Sequence, residues 1–228
     1  FIGSSLAIKL KSNHKVHVFD FKKKINKIKS KLKGCKTIDG DIKKVSCEHV
    51  LFSNPLLDFI NFYKDELPND VIDAASKLEY RNHISVHITI DKKLFDDNWI
   101  YIHSPELKMA RIADFTNFSK DMSIEGNYPL TLEYFCFEDD EIWNSDKNDI
   151  VDFAISELKQ IFKEEFQVVH TDITKNPKAY PVIRTGYEEN LNILREWLSK
   201  KKNLTAIGRS GMFKYNNQDH AMATGLYA

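Results

Sequence analysis

The sequence predicts an α/β chain in which one nucleotide-binding-type domain is interrupted by a second domain built on an antiparallel sheet. Three observations predict it. The opening FIGSSLAIKL runs on to KVHVFD, giving a Gly-Ser turn, a helix, a strand and an acid in that order. Residues 84–90 switch to strict two-residue alternation. After residue 187 the pattern returns to helix, strand and helix. A chain that leaves one kind of layer and comes back to it has inserted a second domain into the first. The first domain is assigned to residues 1–60 and 175–228, the inserted α+β domain to 61–174.

The elements follow in order. Residues 4–12 read as a short helix, with Leu6 and Leu10 four apart, and 15–19 as a strand ended by Asp20. A glycine turn, a helix, a strand and an acid at the strand tip form the second half of a Rossmann-like βαβ unit. Asp20 lies 17 positions after Gly3 (20 − 3), close to the spacing at which such an acid meets a ribose hydroxyl. Phe21, Ile25, Ile28 and Leu32 make one stripe of an amphipathic helix over 21–33. A buried strand is expected at Val50–Ser53, ended by Asn54-Pro55, with helices near 55–63 and 70–79. Ile84, Val86, Ile88 and Ile90 alternate with His83, Ser85, His87 and Thr89, which predicts a strand with one wet face. Residues 97–103, 109–115 and 130–137 are its expected antiparallel neighbours, with Arg111 and Glu133 interrupting two of them. A helix over 148–162, a strand over 166–171, a helix over 187–198 and a strand over 203–207 complete the chain.

Composition narrows the function classes. Lys plus Arg and Asp plus Glu total 33 each, a balance that excludes a chain built wholly around nucleic acid. Ten lysines crowd residues 22–44 against Asp39 and Asp41, which reads first as a solvated helix face and second as a phosphate-attracting patch. No apolar run reaches the roughly 20 residues of a membrane span. The three cysteines (35, 47 and 136) match no zinc or redox spacing, and with no signal peptide they point to a reducing, cytoplasmic setting. The chain opens at Phe1 without an initiator methionine and stops inside an apparent helix, so a fragment or internally shortened chain is expected.

Candidate chemistry concentrates near the end, in LTAIGRSGMFKYNNQDHA (204–221). At Gly208 the missing side chain allows a ligand to approach the backbone. Arg209 offers a fixed fork of donors suited to a pyrophosphate. Asp219 is expected to cap a helix whose N-terminus carries unsatisfied N–H groups and partial positive charge. A polar surface turn is the plainer reading. Elsewhere, Arg111, Tyr180 and Arg184 are candidate grips for an anionic small-molecule substrate, against the plainer reading of arginines paired with surface acids. Trp99 and Tyr101 could stack on a ligand ring or simply pack. His83 and His87 share a strand face about 13 Å apart, too far to chelate one ion, and no metal motif is present. His220, beside Asp219, is the histidine to watch. No GxSxG is found.

The segment IGRSGMFKYNNQDHAMATGLYA (207–228) resembles the C-terminal flavin-binding signature of the FAD-dependent family that includes amine oxidases, protoporphyrinogen oxidases and UDP-galactopyranose mutases. The opening is similar to that family's dinucleotide fold, with Gly3 in the place of its third fingerprint glycine and Asp20 in that of the ribose acid. VLFSNPLLDFI (50–60) resembles the turn that returns toward the flavin. Residues 78–90 and 99–119 resemble the substrate domain, and YPVIRTGYEENLNIL (180–194) the return to the FAD domain. The resemblance implies FAD as cofactor, with Gly3, Ser4, Asp20, Gly208, Arg209, Tyr215, Asn217, Gln218 and Asp219 around it. It also implies oxidoreductase or mutase-like chemistry on an amine or a nucleotide sugar; the catalytic residues stay unassigned. A helix N-terminus at the flavin would favour its reduced form, which gains negative charge.

The sequence departs from the family pattern in two ways. The first two fingerprint glycines are absent, and Asp20 passes almost directly to helix 21–33. A fragment that keeps the fold without holding FAD is therefore the alternative expectation. An NAD-dependent epimerase or reductase would also suit the opening, but no tyrosine here has a lysine four positions later.

Overall fold

A computed structural model describes residues 48–228 and the backbone of strands β1 (His17–Asp20) and β2 (Lys36–Asp39). The helices expected at 4–12 and 21–33 lie outside the described residues. The chain divides into two compact units, residues 1–79 with 181–228, and residues 80–180. The boundaries expected from the sequence, after 60 and before 175, compare with 79 and 181 here. The protein is mixed α/β, with parallel strand pairs in the first unit and an antiparallel sheet in the second.

In the first unit β1 pairs with β2 in parallel, Val18 opposite Thr37 and Asp20 opposite Asp39. β3 (Val50–Phe52) pairs in parallel with β9 (Leu204–Ala206), Val50 opposite Leu204. Main-chain bonds extend this pair at both ends: Val50 N–H donates to Asn203 O at 2.8 Å, and Ile207 N–H to Phe52 O at 2.9 Å. Pro55, at the N-cap with φ −50°, starts the helix Leu56–Asn61 where its missing N–H costs nothing. Helix Asn69–Ser76 follows and packs on helix Tyr187–Ser199. Leu56, Ile60, Val71, Ala74, Leu191, Leu194 and Phe213 form the buried interior of this unit. Phe59 stacks on Phe52 at 3.8 Å between centroids, and Tyr63 meets Trp197 edge-on at 5.4 Å. The Lys201 ammonium lies 5.0 Å from the Trp197 ring, a cation over an aromatic face.

The second unit is a five-stranded antiparallel sheet in the order β5-β6-β7-β4-β8: Trp99–Tyr101, Arg111–Asp114, Tyr128–Cys136, Tyr80–Ile90 and Val168–Pro181. The alternation in β4 gives the expected apolar face, whereas the face expected to be wet is half-buried, with Ser85 buried. Ile84, Val86, Ile88 and Ile90 point to one face, join Ile112, Leu130, Leu132 and Tyr134, and pack with Ile150, Ala154 and Leu158 of helix Lys147–Ile161. That helix carries Glu157, almost wholly buried, whose carboxylate accepts from Lys108 N–H (2.6 Å), Met109 N–H (3.1 Å) and Tyr134 O–H (3.0 Å). The segment before β6 is thereby tied to the helix with the carboxylate satisfied, as burial of a charge requires.

Two local expectations need correction. The strand expected at 166–171 is the start of a 14-residue strand that continues through Pro177 and ends at Pro181. Its second half is polar, so no apolar alternation announced it. Lys178 takes φ +52°, with its N–H donating to Asn82 Oδ1 at 2.8 Å. The last helix runs Gln218–Leu226 with Asn217 as N-cap and no side-chain capping bond, so Asp219 is not the cap. Asp219 lies in the first turn, its carboxylate 3.2 Å from the ring of His220.

Candidate functional site

In the first unit, the parallel pair β3–β9 ends at a corner built by two glycines. Gly208 takes φ +72°, a left-handed conformation that side chains resist, and opens a short helix, Gly208–Gly211, that the sequence did not announce. Its N–H donates to Thr224 Oγ1 at 2.8 Å, and that hydroxyl donates in turn to Ala221 O at 2.7 Å. The last helix is thus pinned to the strand tip. A Cβ on Gly211 would stand 2.8 Å from Phe52 O, so only glycine lets this turn lie against β3.

Past Gly211 the chain doubles back. Phe213, buried with φ +49°, anchors the bend. Arg209 then closes it. Its Nε donates to Asn216 O at 2.9 Å, Nη2 donates to the same oxygen, and the guanidinium lies 5.1 Å from the Tyr215 ring centroid. Asn216 Oδ1 is buried and has no hydrogen-bond partner among the described residues. The sequence singled out its neighbours but not Asn216, because an exposed-looking Asn-Asn pair gives no hint which amide turns inward.

Of the expected cofactor residues, Gly208, Arg209, Tyr215, Asn217, Gln218 and Asp219 all gather at this corner. Gly3 and Ser4 lie outside the described residues. Asp20 ends β1, opposite Asp39.

The expected substrate residues do not gather in one unit. Arg184 belongs to the first, where its Nη2 meets Glu79 Oε2 at 2.5 Å. Arg111 and Tyr180 belong to the second, on the sheet face away from helix Lys147–Ile161. Register aligns Tyr101, Arg111, Glu133 and Ser85 across four strands. Arg111 Nε donates to Glu133 Oε2 at 2.8 Å and Nη2 donates to the same oxygen, while Nη1 reaches Tyr101 Oη at 3.4 Å. His83 Nε2 approaches Glu133 Oε2 at 3.4 Å without the alignment of a hydrogen bond, and its ring packs against Phe135 and Tyr180. Burial pushes the Glu133 carboxyl up, but the contacts from His83 and Arg111 outweigh it and hold it below the usual range. The alternation had put His83 on a wet face, yet its side chain is 13% exposed; the register sets Glu133 opposite Ser85, diagonal to His83. A cavity of about 530 Å³ in this unit is lined by Tyr101, His103, Glu106, Gln160 and Lys163 among others, and by none of the expected substrate residues.

No curated protein matches the sequence at a significant level. Among solved structures, a reduced UDP-galactopyranose mutase superposes with a TM-score of 0.67 at 21% identity, over 80% of this chain and 40% of that one. A putative protoporphyrinogen oxidase from Exiguobacterium sp. 255-15 gives 0.68 at 10% identity, over 89% and 48%. An oxidoreductase from Methanosarcina mazei gives 0.53 at 10% identity, over 89% and 52%. The chain therefore spans about half the length of these structures, and the likeness is one of fold. The family described as flavin containing amine oxidoreductase matches residues 8–209. With most of its length matched, the chain belongs to the flavin containing amine oxidoreductase family.

Proposed function

We propose that the chain is an FAD-dependent oxidoreductase whose first unit holds the dinucleotide and whose second contributes the surface for a small-molecule substrate. Membership in a flavin containing family implies FAD as the cofactor. The observation that carries the reading is the corner after β9. Its left-handed Gly208, its close-packed Gly211 and the partnerless oxygen of Asn216 fit a bound group at the place where a parallel strand pair ends. The two parallel pairs support a Rossmann-like sheet, with Gly3, Ser4 and Asp20 proposed at the phosphate turn and the ribose. Asn217, Gln218 and Asp219 lie at the N-terminal turn of the last helix, where N–H groups and the helix dipole favour electron-rich atoms.

When bound, the flavin supplies the electron sink for substrate oxidation. The chain's own residues bind and orient. Of the two substrate classes the family resemblance allows, an amine suits the sheet face better than a diphosphate sugar. Both arginines expected to grip an anion already face a carboxylate, Glu133 for Arg111 and Glu79 for Arg184. No helix among the described residues is long and apolar enough to cross a membrane. A cytoplasmic location is part of the proposal and rests on cysteine usage.

The test is direct. The purified protein is expected to carry a visible flavin absorption band, or to acquire one with added FAD. A colourless protein that ignores added FAD would overturn the reading in favour of a non-catalytic member of the family.

A further inference from the structure

We infer that at this corner the side chain of Asn216, rather than the guanidinium of Arg209, meets the cofactor, and that it meets a hydroxyl or ring N–H of FAD rather than the pyrophosphate. The inference rests on the FAD reading above and names which part of the dinucleotide lies here.

The two residues divide the work by their hydrogen-bonding capacity. A guanidinium only donates, through N–H groups fixed in one plane. In Arg209 two of those donors aim at a single main-chain oxygen, Asn216 O, with Tyr215 beneath the plane. That geometry sets the orientation of the group toward its own loop. Arg209 is accordingly a positioning residue, which closes residues 209–216 and holds Asn216 in place.

Asn216 Oδ1 has the opposite need. It is buried and accepts from no donor among the described residues. A buried carbonyl left without a donor costs about 1–3 kcal/mol. A donor from outside the described residues, either a bound cofactor or an enclosed water, satisfies such a group, and loss of cofactor affinity in Asn216→Ala tells the two apart. A pyrophosphate at neutral pH offers only acceptor oxygens, so it cannot fill the role and would be repelled by this one. The ribityl and ribose hydroxyls and the ring N–H groups of FAD are donors and can.

The experiment compares FAD dissociation constants, by flavin fluorescence at low and high salt, for the wild-type chain, Asn216→Ala, Asn216→Asp and Arg209→Lys. Amide hydrogen exchange over residues 212–217 is followed in the cofactor-free wild-type and Arg209→Lys proteins. Thermal midpoints verify that each variant is folded. Asn216→Ala is expected to weaken binding about 2- to 10-fold, the worth of one hydrogen bond. Asn216→Asp keeps an acceptor, so it is expected to stay within about threefold of wild type at both salt concentrations. Arg209→Lys keeps the charge but loses the planar fork, so it is expected to weaken binding and to speed exchange in 212–217.

Three results would overturn the inference while leaving the FAD reading intact. One is a large loss in Asn216→Asp that salt relieves, which would put phosphate beside the residue. Another is wild-type affinity in Asn216→Ala. The third is unchanged exchange over 212–217 in Arg209→Lys, which would remove Arg209 from the role of clamp. Failure of the wild-type chain to bind FAD would overturn the proposed function and the Asn216 contact together; the exchange measurement would still decide the clamp.

Discussion

Among the described residues each unit shows an arginine–glutamate pair, and the two pairs differ in burial far more than in chemistry. In the second unit the side chains of Arg111 and Glu133 are 27% and 12% exposed. In the first, those of Arg184 and Glu79 are 67% and 42% exposed. The sequence offered both arginines as grips for an anion or, more plainly, as partners of surface acids, and each faces a carboxylate. Water then decides what the pairing is worth. An exposed pair exchanges one well-solvated arrangement for another, whereas a half-buried pair leaves a desolvated charge behind when either partner is removed.

The largest expected effect follows from that asymmetry. Glu133→Ala strips Arg111 of its partner within the sheet and is expected to cost about 2–3 kcal/mol. Unfolding in urea, followed through Trp99 and Trp143 of the second unit in a Trp197→Phe background, would measure it. A loss below about 0.5 kcal/mol would erase the contrast between the pairs. The pH dependence has a definite sign. The folded Glu133 carboxyl titrates below its unfolded value near 4.3, so its contribution is present above that pH and is lost as pH falls through the folded value. Glu133→Ala is therefore expected to flatten the acid limb of the stability curve of this unit.

Tyr101 and His83 sharpen the same comparison at smaller scale. Tyr101→Phe removes a hydroxyl 3.4 Å from Arg111 Nη1, a long bond on an exposed residue, and is expected to cost about 0.5 kcal/mol or less. His83→Gln removes the ring that packs on Phe135 and Tyr180 and approaches Glu133, for an expected cost of about 1 kcal/mol. If Tyr101→Phe proved the more damaging of the two, the Glu133 carboxylate would not be the centre of the row.

How far these features could be read in advance depended on whether a signal was local. β4 was legible because Ile84, Val86, Ile88 and Ile90 carry the two-residue period in their own composition. The later part of β8 was not, because Thr174 to Lys178 is polar and contains Pro177; pairing with β4 overrides those preferences. The terminal corner was legible as a place, since Gly208, Arg209 and the Asn217–Asp219 turn lie within a dozen residues. What Arg209 does there was not. Its partner is a main-chain oxygen seven residues on (216 − 209), brought back only by the left-handed bend at Phe213. The Arg111–Glu133 tie was hidden for a related reason. Both residues looked like interruptions of apolar strands, and only a register joining strands 22 residues apart (133 − 111) turns two interruptions into one pair.

The smallest expected effect completes the comparison. Arg184 and Glu79 sit close, yet most of the arginine side chain and nearly half of the glutamate's remain in water. At that exposure the Coulomb gain is screened, and fixing two long side chains offsets much of the rest, so Glu79→Ala is expected to change stability by about 0.5 kcal/mol or less. One further contact sharpens the point. Val182 N–H donates to Glu79 O at 2.9 Å, a main-chain bond that Glu79→Ala leaves in place. The crossing between segments 79 and 182 therefore does not depend on the ion pair. If Glu79→Ala nevertheless cost as much as Glu133→Ala in the corresponding urea titration of the first unit, burial would not be what separates the two pairs, and the weight would shift to a role for Glu79 that its exposed geometry does not convey.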